Sequence, residues 1–364
     1  MGLGAIVVIG TEREAFGSTA PQGIVQVPGS DALLPAPLAC VDILGRSMVE
    51  RAIERFTRAD VELLTVLVPA GSVYEVRPFA DTFETVNVQD VADVFSAITQ
   101  QLRYYSQKGI EHSFVASANV YAETDLLDFF YFHREARQTA TRALDREGSL
   151  DLWVVDCARA QPADLQSLLT RADETGASYF IRDYVSRLTH PRDLRQLVSD
   201  ALCGRCAMRP SGREIKSGIW IDEGAEIHRR ARIVAPAFIG CGSKIQEDAL
   251  ITRCSSIEGH CFVDCGTVIE DSSILANTHI GIWLDVCHAV ASGNKLMSLV
   301  HDVVVEIADS SIMRSNGAVR PEAEEDFNWR HQGEYTNRQS IADIQPEQSS
   351  TPKPWQLGAN LIQG

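Results

Sequence analysis

The segment SANVYAETD, Ser117 to Asp125, joins a short apolar run, HSFVA, to a helical pattern, LLDFFYFHREAR. Polar side chains at such a turn can act together, because strand ends and helix N-termini converge there. Carboxylates in the turn would hold a divalent cation, which prefers charged oxygen ligands. The first polar position after the strand is Asn119, and the acids come later, at Glu123 and Asp125. Asp125 directly precedes the helical pattern, with Asp128 three residues on, so its expected role is to cap that helix. Glu123 and Asp125 are the candidate metal ligands. Cys203 and Cys206 form the one CxxC pair in the chain. A zinc site would need a second ligand pair at matching spacing, and none stands out. The nine cysteines are an odd number spread over a long sequence, which argues for reduced structural thiols rather than a disulfide framework.

Positioning that turn takes a βαβ scaffold, and the first part of the chain has the right rhythm. AIVVIG, ELLTVLVP, HSFVA, LDLWVVD and ASYFI are short apolar runs. Between them, RSMVERAIERF puts Met48, Val49, Ala52, Ile53 and Phe56 on one helical face. DVADVFSAITQQLRYY repeats the period through Val91, Phe95, Ile98 and Leu102. The alternation predicts a mostly parallel sheet covered on both faces over residues 1–205, ending before CGRCAMRPSGREIKSG. A length of 364 residues allows a second domain, and 45% hydrophobic residues allow sizeable cores. A net charge of −16 argues against a nucleic-acid partner, which requires a basic footprint. No apolar run reaches the roughly 18–20 residues that span a bilayer. LGAIVVIG has no basic residues before it and reads as a strand rather than a signal peptide, so no membrane partner and a cytoplasmic location are expected.

From Ile221 the sequence falls into sixes: IDEGAE, IHRRAR, IVAPAF, IGCGSK, IQEDAL, ITRCSS, IEGHCF, VDCGTV, IEDSSI, LANTHI. The first position is Ile, Val or Leu throughout, and the fifth is small everywhere except at His279. Neither the strand period of two nor the helix period of 3.6 produces this pattern. A coil with three short flat sides does, with aliphatic and small residues filling a narrow interior. The pattern resembles the hexapeptide repeat of left-handed parallel β-helices. The coil domain is expected over residues 215–318, with Ile221, Ile227, Ile233, Ile239, Ile245, Ile251, Ile257, Val263, Ile269 and Leu275 pointing inward and irregular coils continuing to about Met313. Residues 319–364 read as a polar, disordered tail.

An α/β domain followed by such a coil resembles the sugar-phosphate nucleotidyltransferases, the NDP-sugar pyrophosphorylases of the mannose-1-phosphate guanylyltransferase-like group. PLACVDILGRSMVERAIERF (Pro37 to Phe56) is similar to the family's PKxLxPxxG[KR]P[ML][LI]E segment, with Gly45 and Arg46 in register. FVASANVYAETDLLDFFYFHREARQTAT is similar to its Gly-Asp segment, including the trailing FHRE. The resemblance implies a Rossmann-like nucleotidyltransferase domain and transfer of a nucleotidyl group to a sugar 1-phosphate with Mg2+. It also implies nucleotide binding by the loop after the first strand, GTEREAFG, where Gly10, Thr11 and Arg13 remain from the family's GxGTR. Glu12 and Glu14 surround that arginine and oppose a triphosphate. The family's lysine falls on Leu38, and its Gly-Asp falls on Ala118 and Asn119. Arg13, Asn119 and Glu123 are the candidate catalytic residues, and Glu123 aligns with a second acidic position of the family. Three eroded elements imply a weakly active or non-catalytic, regulatory subunit of nucleotide-sugar metabolism that binds a nucleotide or sugar phosphate.

Two alternatives remain open from the sequence: an active pyrophosphorylase with an unusual site, and an acyltransferase acting through the coil. The latter would use a histidine as general base between subunits, and His228, His260, His279 and His288 lie in or beside the repeat. Such histidines, and Cys241, Cys254, Cys261 and Cys265 in the coils, are read as packing or solvated residues. Solenoid ends and faces need covering, so a homo-oligomer is expected.

Overall fold

The computed structural model describes residues 2–9, 33–34, 36–69, 83–88, 94–160 and 177–316. It is a mixed α/β structure. Seven strands form the first sheet: β1 (Gly2–Val8), β4 (Leu63–Pro69), β5 (Phe83–Val88), β6 (Ile110–Ser117), β8 (Ala140–Asp145), β9 (Gly148–Asp156) and β10 (Ala177–Phe180). Their order is β10-β8-β9-β6-β1-β4-β5. Alternation along β1 sends Leu3, Ala5 and Val7 into one apolar cluster and Ile6 and Val8 into the other, so the sheet is covered on both faces. Helix α1 (Met48–Arg58) contributes Met48, Val49, Ile53 and Phe56 to the first cluster. Helix α2 (Val94–Gln107) contributes Ile98, Leu102 and Tyr105 to the second. A capping box starts α1: Ser47 Oγ accepts from the Glu50 N–H at 3.2 Å, and Glu50 accepts from the Ser47 N–H at 2.8 Å.

The sheet is less parallel than the sequence rhythm suggests. LDLWVVD lies in β9, which runs antiparallel to both β6 and β8. The reason is a tight hairpin at Asp145–Gly148. Asp145 accepts from the N–H groups of Glu147 and Gly148, and Gly148 takes a φ of +125° that favours glycine. The remaining short strands of this part are two antiparallel pairs. β2 (Asp42–Ile43) pairs with β3 (Arg46–Ser47), and β7 (Val120–Ala122) pairs with β11 (Val185–Arg187).

After Trp220 the chain winds through three parallel ladders of two- and three-residue strands. Ile221 pairs with Ile239 and Ile239 with Ile257; Ile227, Ile245 and Val263 form a second column, and Ile233, Ile251 and Ile269 a third. These columns enclose one apolar interior. Small residues fit beside them, and their hydroxyls have work to do there. Ser243 Oγ accepts the Cys261 N–H, Ser255 Oγ that of Ser272, and Thr267 Oγ1 that of Leu284.

The spacing is 18 residues as far as Ile257, then falls to 17: Ile257 pairs with Ile274, Val263 with Ile280 and Ile269 with Val286. One corner is a residue shorter. Arg253 and Cys254 both turn it in left-handed conformation, whereas one coil later Asp271 does so alone. The shift corrects the expected inward set. Ile274, not Leu275, enters the interior, and Leu275 joins the cluster under the α/β sheet. It also removes the apparent exception at His279, because Thr278 takes the small inward position and His279 sits beside Phe262 on the ladder.

Beyond Ala289–Ser292 the chain does not continue coiling. Lys295–Ser298 and Val303–Glu306 pair antiparallel as hairpins, and Met313–Ser315 pairs antiparallel with Thr278–Ile280, placing Met313 in the interior. The sequence boundary near residues 205–215 does not interrupt packing. Phe238, Leu275, Val290 and Met297 of the coil share one cluster with α1 and β1. No helix among the described residues is long and apolar enough to cross a membrane.

Candidate functional site

β1 and β6 lie side by side, so their carboxyl ends open together. The Ala118 N–H reaches the Val8 carbonyl at 2.9 Å, which sets Asn119 beside the point where the chain leaves β1. Gly10, Thr11 and Arg13, with Glu12 and Glu14, lie outside the described residues. Asn119 is 8% exposed. Its N–H donates to Ser117 Oγ at 3.2 Å, and its carbonyl accepts from the Leu188 N–H at 2.8 Å. Asn119, two residues past β6, is therefore fixed by its backbone from both sides.

The two acids of the turn are engaged elsewhere. Glu123 Oε1 accepts from the Tyr121 hydroxyl at 3.0 Å and from the Ala207 N–H. The Glu123 N–H donates to the Tyr184 carbonyl at 2.8 Å. Asp125 is the N-cap of α3 (Leu126–Ala136), accepting from the N–H groups of Leu127 at 2.8 Å and Asp128 at 3.2 Å. Removing that cap in Asp125→Ala is expected to cost about 1 kcal/mol of stability in a urea titration. A loss within experimental scatter would show that the cap is not holding α3. Asp128 in turn accepts from the Tyr179 hydroxyl at 2.5 Å.

Leu38 is 7% exposed and packs in the core beneath the sheet. Gly45 and Arg46 also serve the fold. The carboxyl group of Glu258, in the coil, accepts from the N–H groups of Leu44 and Gly45, both at 2.9 Å. Gly45 has a φ of +87°, and an added Cβ would stand 1.8 Å from Ser211 Oγ, so only glycine fits there. Arg46 pairs with Glu54 at 2.9 Å.

Sequence reasoning missed the groups that surround this turn. A small pocket opens between α1 and the end of β6, lined by Arg51, Arg55, Ser117, Tyr121 and apolar neighbours. Both arginines have their basicity lowered, chiefly by burial. Arg51 donates to the carbonyls of Ile43 at 2.8 Å and Arg209 at 3.2 Å, and Arg55 to that of Thr124 at 2.8 Å. Burial, and then the Glu123 charge, push the Tyr121 phenol up. Leu152, which pairs with Ala116 near the end of β6, completes the lining; its neighbour Asp151 is not part of it, and burial raises that carboxyl to about 6. The spacing of Arg51 and Arg55, one helical turn apart, was visible in the sequence.

These residues do not suit Mg2+. A hard cation wants carboxylate oxygens, whereas Asn119 offers an amide and Glu123 and Asp125 are held by hydroxyl and N–H donors. Among the described residues no three His, Cys, Asp or Glu side chains gather as a metal site. The histidines of the coil are likewise separate. His260 is exposed at a left-handed corner. His279 lies edge-on to the Phe262 ring, with Asp264 3.8 Å away. His288 Nδ1 meets Asp271 at 2.6 Å, and His228 Nδ1 accepts from the Arg230 N–H at 3.3 Å. Compared with known proteins, the chain matches no family model and no curated sequence.

Proposed function

We propose that the chain is a sugar-phosphate nucleotidyltransferase-like protein, a Rossmann-like domain followed by a left-handed parallel β-helix, whose metal-dependent chemistry has been lost. It acts as a non-catalytic binding or regulatory subunit of nucleotide-sugar metabolism. The observation that carries this reading is the end of β6. The position that needs a carboxylate holds the buried amide of Asn119, and the nearby acids Glu123 and Asp125 are tied to Tyr121, Ala207 and the α3 N-terminus. Leu38, buried in the core, leaves no cation at the position of the family's lysine. Each missing electrostatic contribution costs a transition state on the order of 3–4 kcal/mol, so losing two or three removes most of the activity.

Purified protein supplied with each NTP, several sugar 1-phosphates and Mg2+ is expected to release no pyrophosphate above background. Asn119→Asp is expected to leave it inactive, because Leu38 still supplies no cation and the acidic sequence around Arg13, with Glu12 and Glu14, still opposes a triphosphate. Robust turnover by the native chain would refute the proposal.

A further inference from the structure

At the C-terminal end of α4 (Pro191–Leu202), Cys203 is the capping residue and is exposed, its N–H donating to the Ser199 carbonyl at 3.0 Å. Its sulfur lies 3.2 Å from that of Cys254, 51 positions later in the coil. Cys254 stands at the two-residue left-handed corner Arg253–Cys254, which the next coil replaces with Asp271 alone. The longer corner brings this thiol out toward α4. Both cysteines are free thiols. Beside them Arg195, only 4% exposed, binds Asp271 at 2.5 Å and the Arg253 carbonyl at 3.3 Å, while its Nε and Nη1 have no acceptor among the described residues. Burial pushes the Cys254 thiol up, and the adjacent Cys203 adds to this; Ser199 and the Arg195 charge work the other way. The net push on Cys254 is upward, so the pairing of the two sulfurs rests on their 3.2 Å approach.

We infer that Cys203 and Cys254 form a reversible redox latch between α4 and the coil, closed by exchange with a small-molecule disulfide such as oxidised glutathione. The exposed Cys203 thiolate attacks one sulfur of the small disulfide and expels the other half as a thiolate, leaving a mixed disulfide. Cys254 gives its proton to water, attacks the Cys203 sulfur and expels the second half. Two protein thiols are oxidised to one disulfide, and one small disulfide is reduced to two thiols. The latch also fixes the short segment that runs from Cys203 to Ala207, whose N–H holds Glu123 at the candidate site. Cys206, half-buried three residues on, is the competing partner within the CxxC sequence.

The test is to expose the full-length protein to excess oxidised glutathione, alkylate the remaining thiols, and map the linked peptides by mass spectrometry. A Cys203–Cys254 peptide is expected in the native protein and in Cys206→Ser, and is expected to be absent in Cys203→Ser and Cys254→Ser. The oxidised protein should melt several degrees higher, with the rise reversed by dithiothreitol, because the bond closes a long loop in the unfolded chain. A predominant Cys203–Cys206 peptide, glutathione retained on Cys203, or thiols that stay free would each overturn the inference.

Discussion

Ile245→Asp is expected to prevent the coil from folding. Ile245 is 1% exposed and occupies the middle of a column between Ile227 and Val263. The interior around it holds aliphatic and small side chains, with hydroxyls already committed to backbone N–H groups. An aspartate there finds neither water nor a cation, and burying an unpaired charge belongs to the class of changes costing more than about 4–5 kcal/mol. Because domain stabilities are about 5–15 kcal/mol, that loss removes much or all of the folded population. Ile245→Val, which deletes a single methyl group, should cost only about 0.5–1.5 kcal/mol. Circular dichroism melts of the two variants beside the native protein give the comparison. An aspartate variant that melts within a few degrees of the parent would mean that position 245 does not face a dry interior.

Glu258 is the second large effect. It is 1% exposed, and both its oxygens accept backbone N–H groups from the β2–β3 turn, more than 200 residues away in sequence. Glu258→Ala leaves the Leu44 and Gly45 N–H groups without acceptors and opens a void, together costing about 3–5 kcal/mol. The same residue gives a pH signature. Burial raises its carboxyl from 4.5 to about 8, with Asp42 adding to burial while the two N–H donors and Arg51 oppose it. Between these values the unfolded chain releases the proton and the folded chain keeps it. Its contribution is therefore fully present below 4.5 and is lost as pH rises toward 8. Burial pushes His133 down to about 4, which gives the opposite slope below 6.5, so the informative quantity is the difference between parent and variant. That difference, from urea titrations across the range, should shrink as pH rises. A difference that grows with pH would show that Glu258 is held as a carboxylate.

The hexad repeat made the coil legible because few arrangements repeat an aliphatic every six residues. The lost residue at Asp271 was not legible, since Ile274 and Leu275 are adjacent and equally aliphatic, so either satisfies the pattern. Only pairing with Ile257 decides between them. The antiparallel β9 was hidden for a related reason. LDLWVVD is apolar whichever way it runs, and the signal lay in the turn residues Asp145 to Gly148 before it. At the candidate site, Asp125 before an apolar helical run was readable as a cap. The hold on Glu123 was not, because Ala207 donates a backbone N–H and backbone donors leave no trace in residue types.

The apolar cluster that Phe238, Leu275, Val290 and Met297 share with α1 and β1 bears on how this architecture could be cut and rejoined. A repeat array attached by a linker can be shortened, exchanged or grafted, since its neighbour loses nothing when it leaves. Here one ladder of the coil also forms a wall beside the sheet, and Glu258 reaches from that wall into the β2–β3 turn. Removing the array would strip the domain of its own lining. The repeats can therefore vary at their far corners, but the face that carries Phe238 and Val290 must change in step with α1, as the two sides of a lock do.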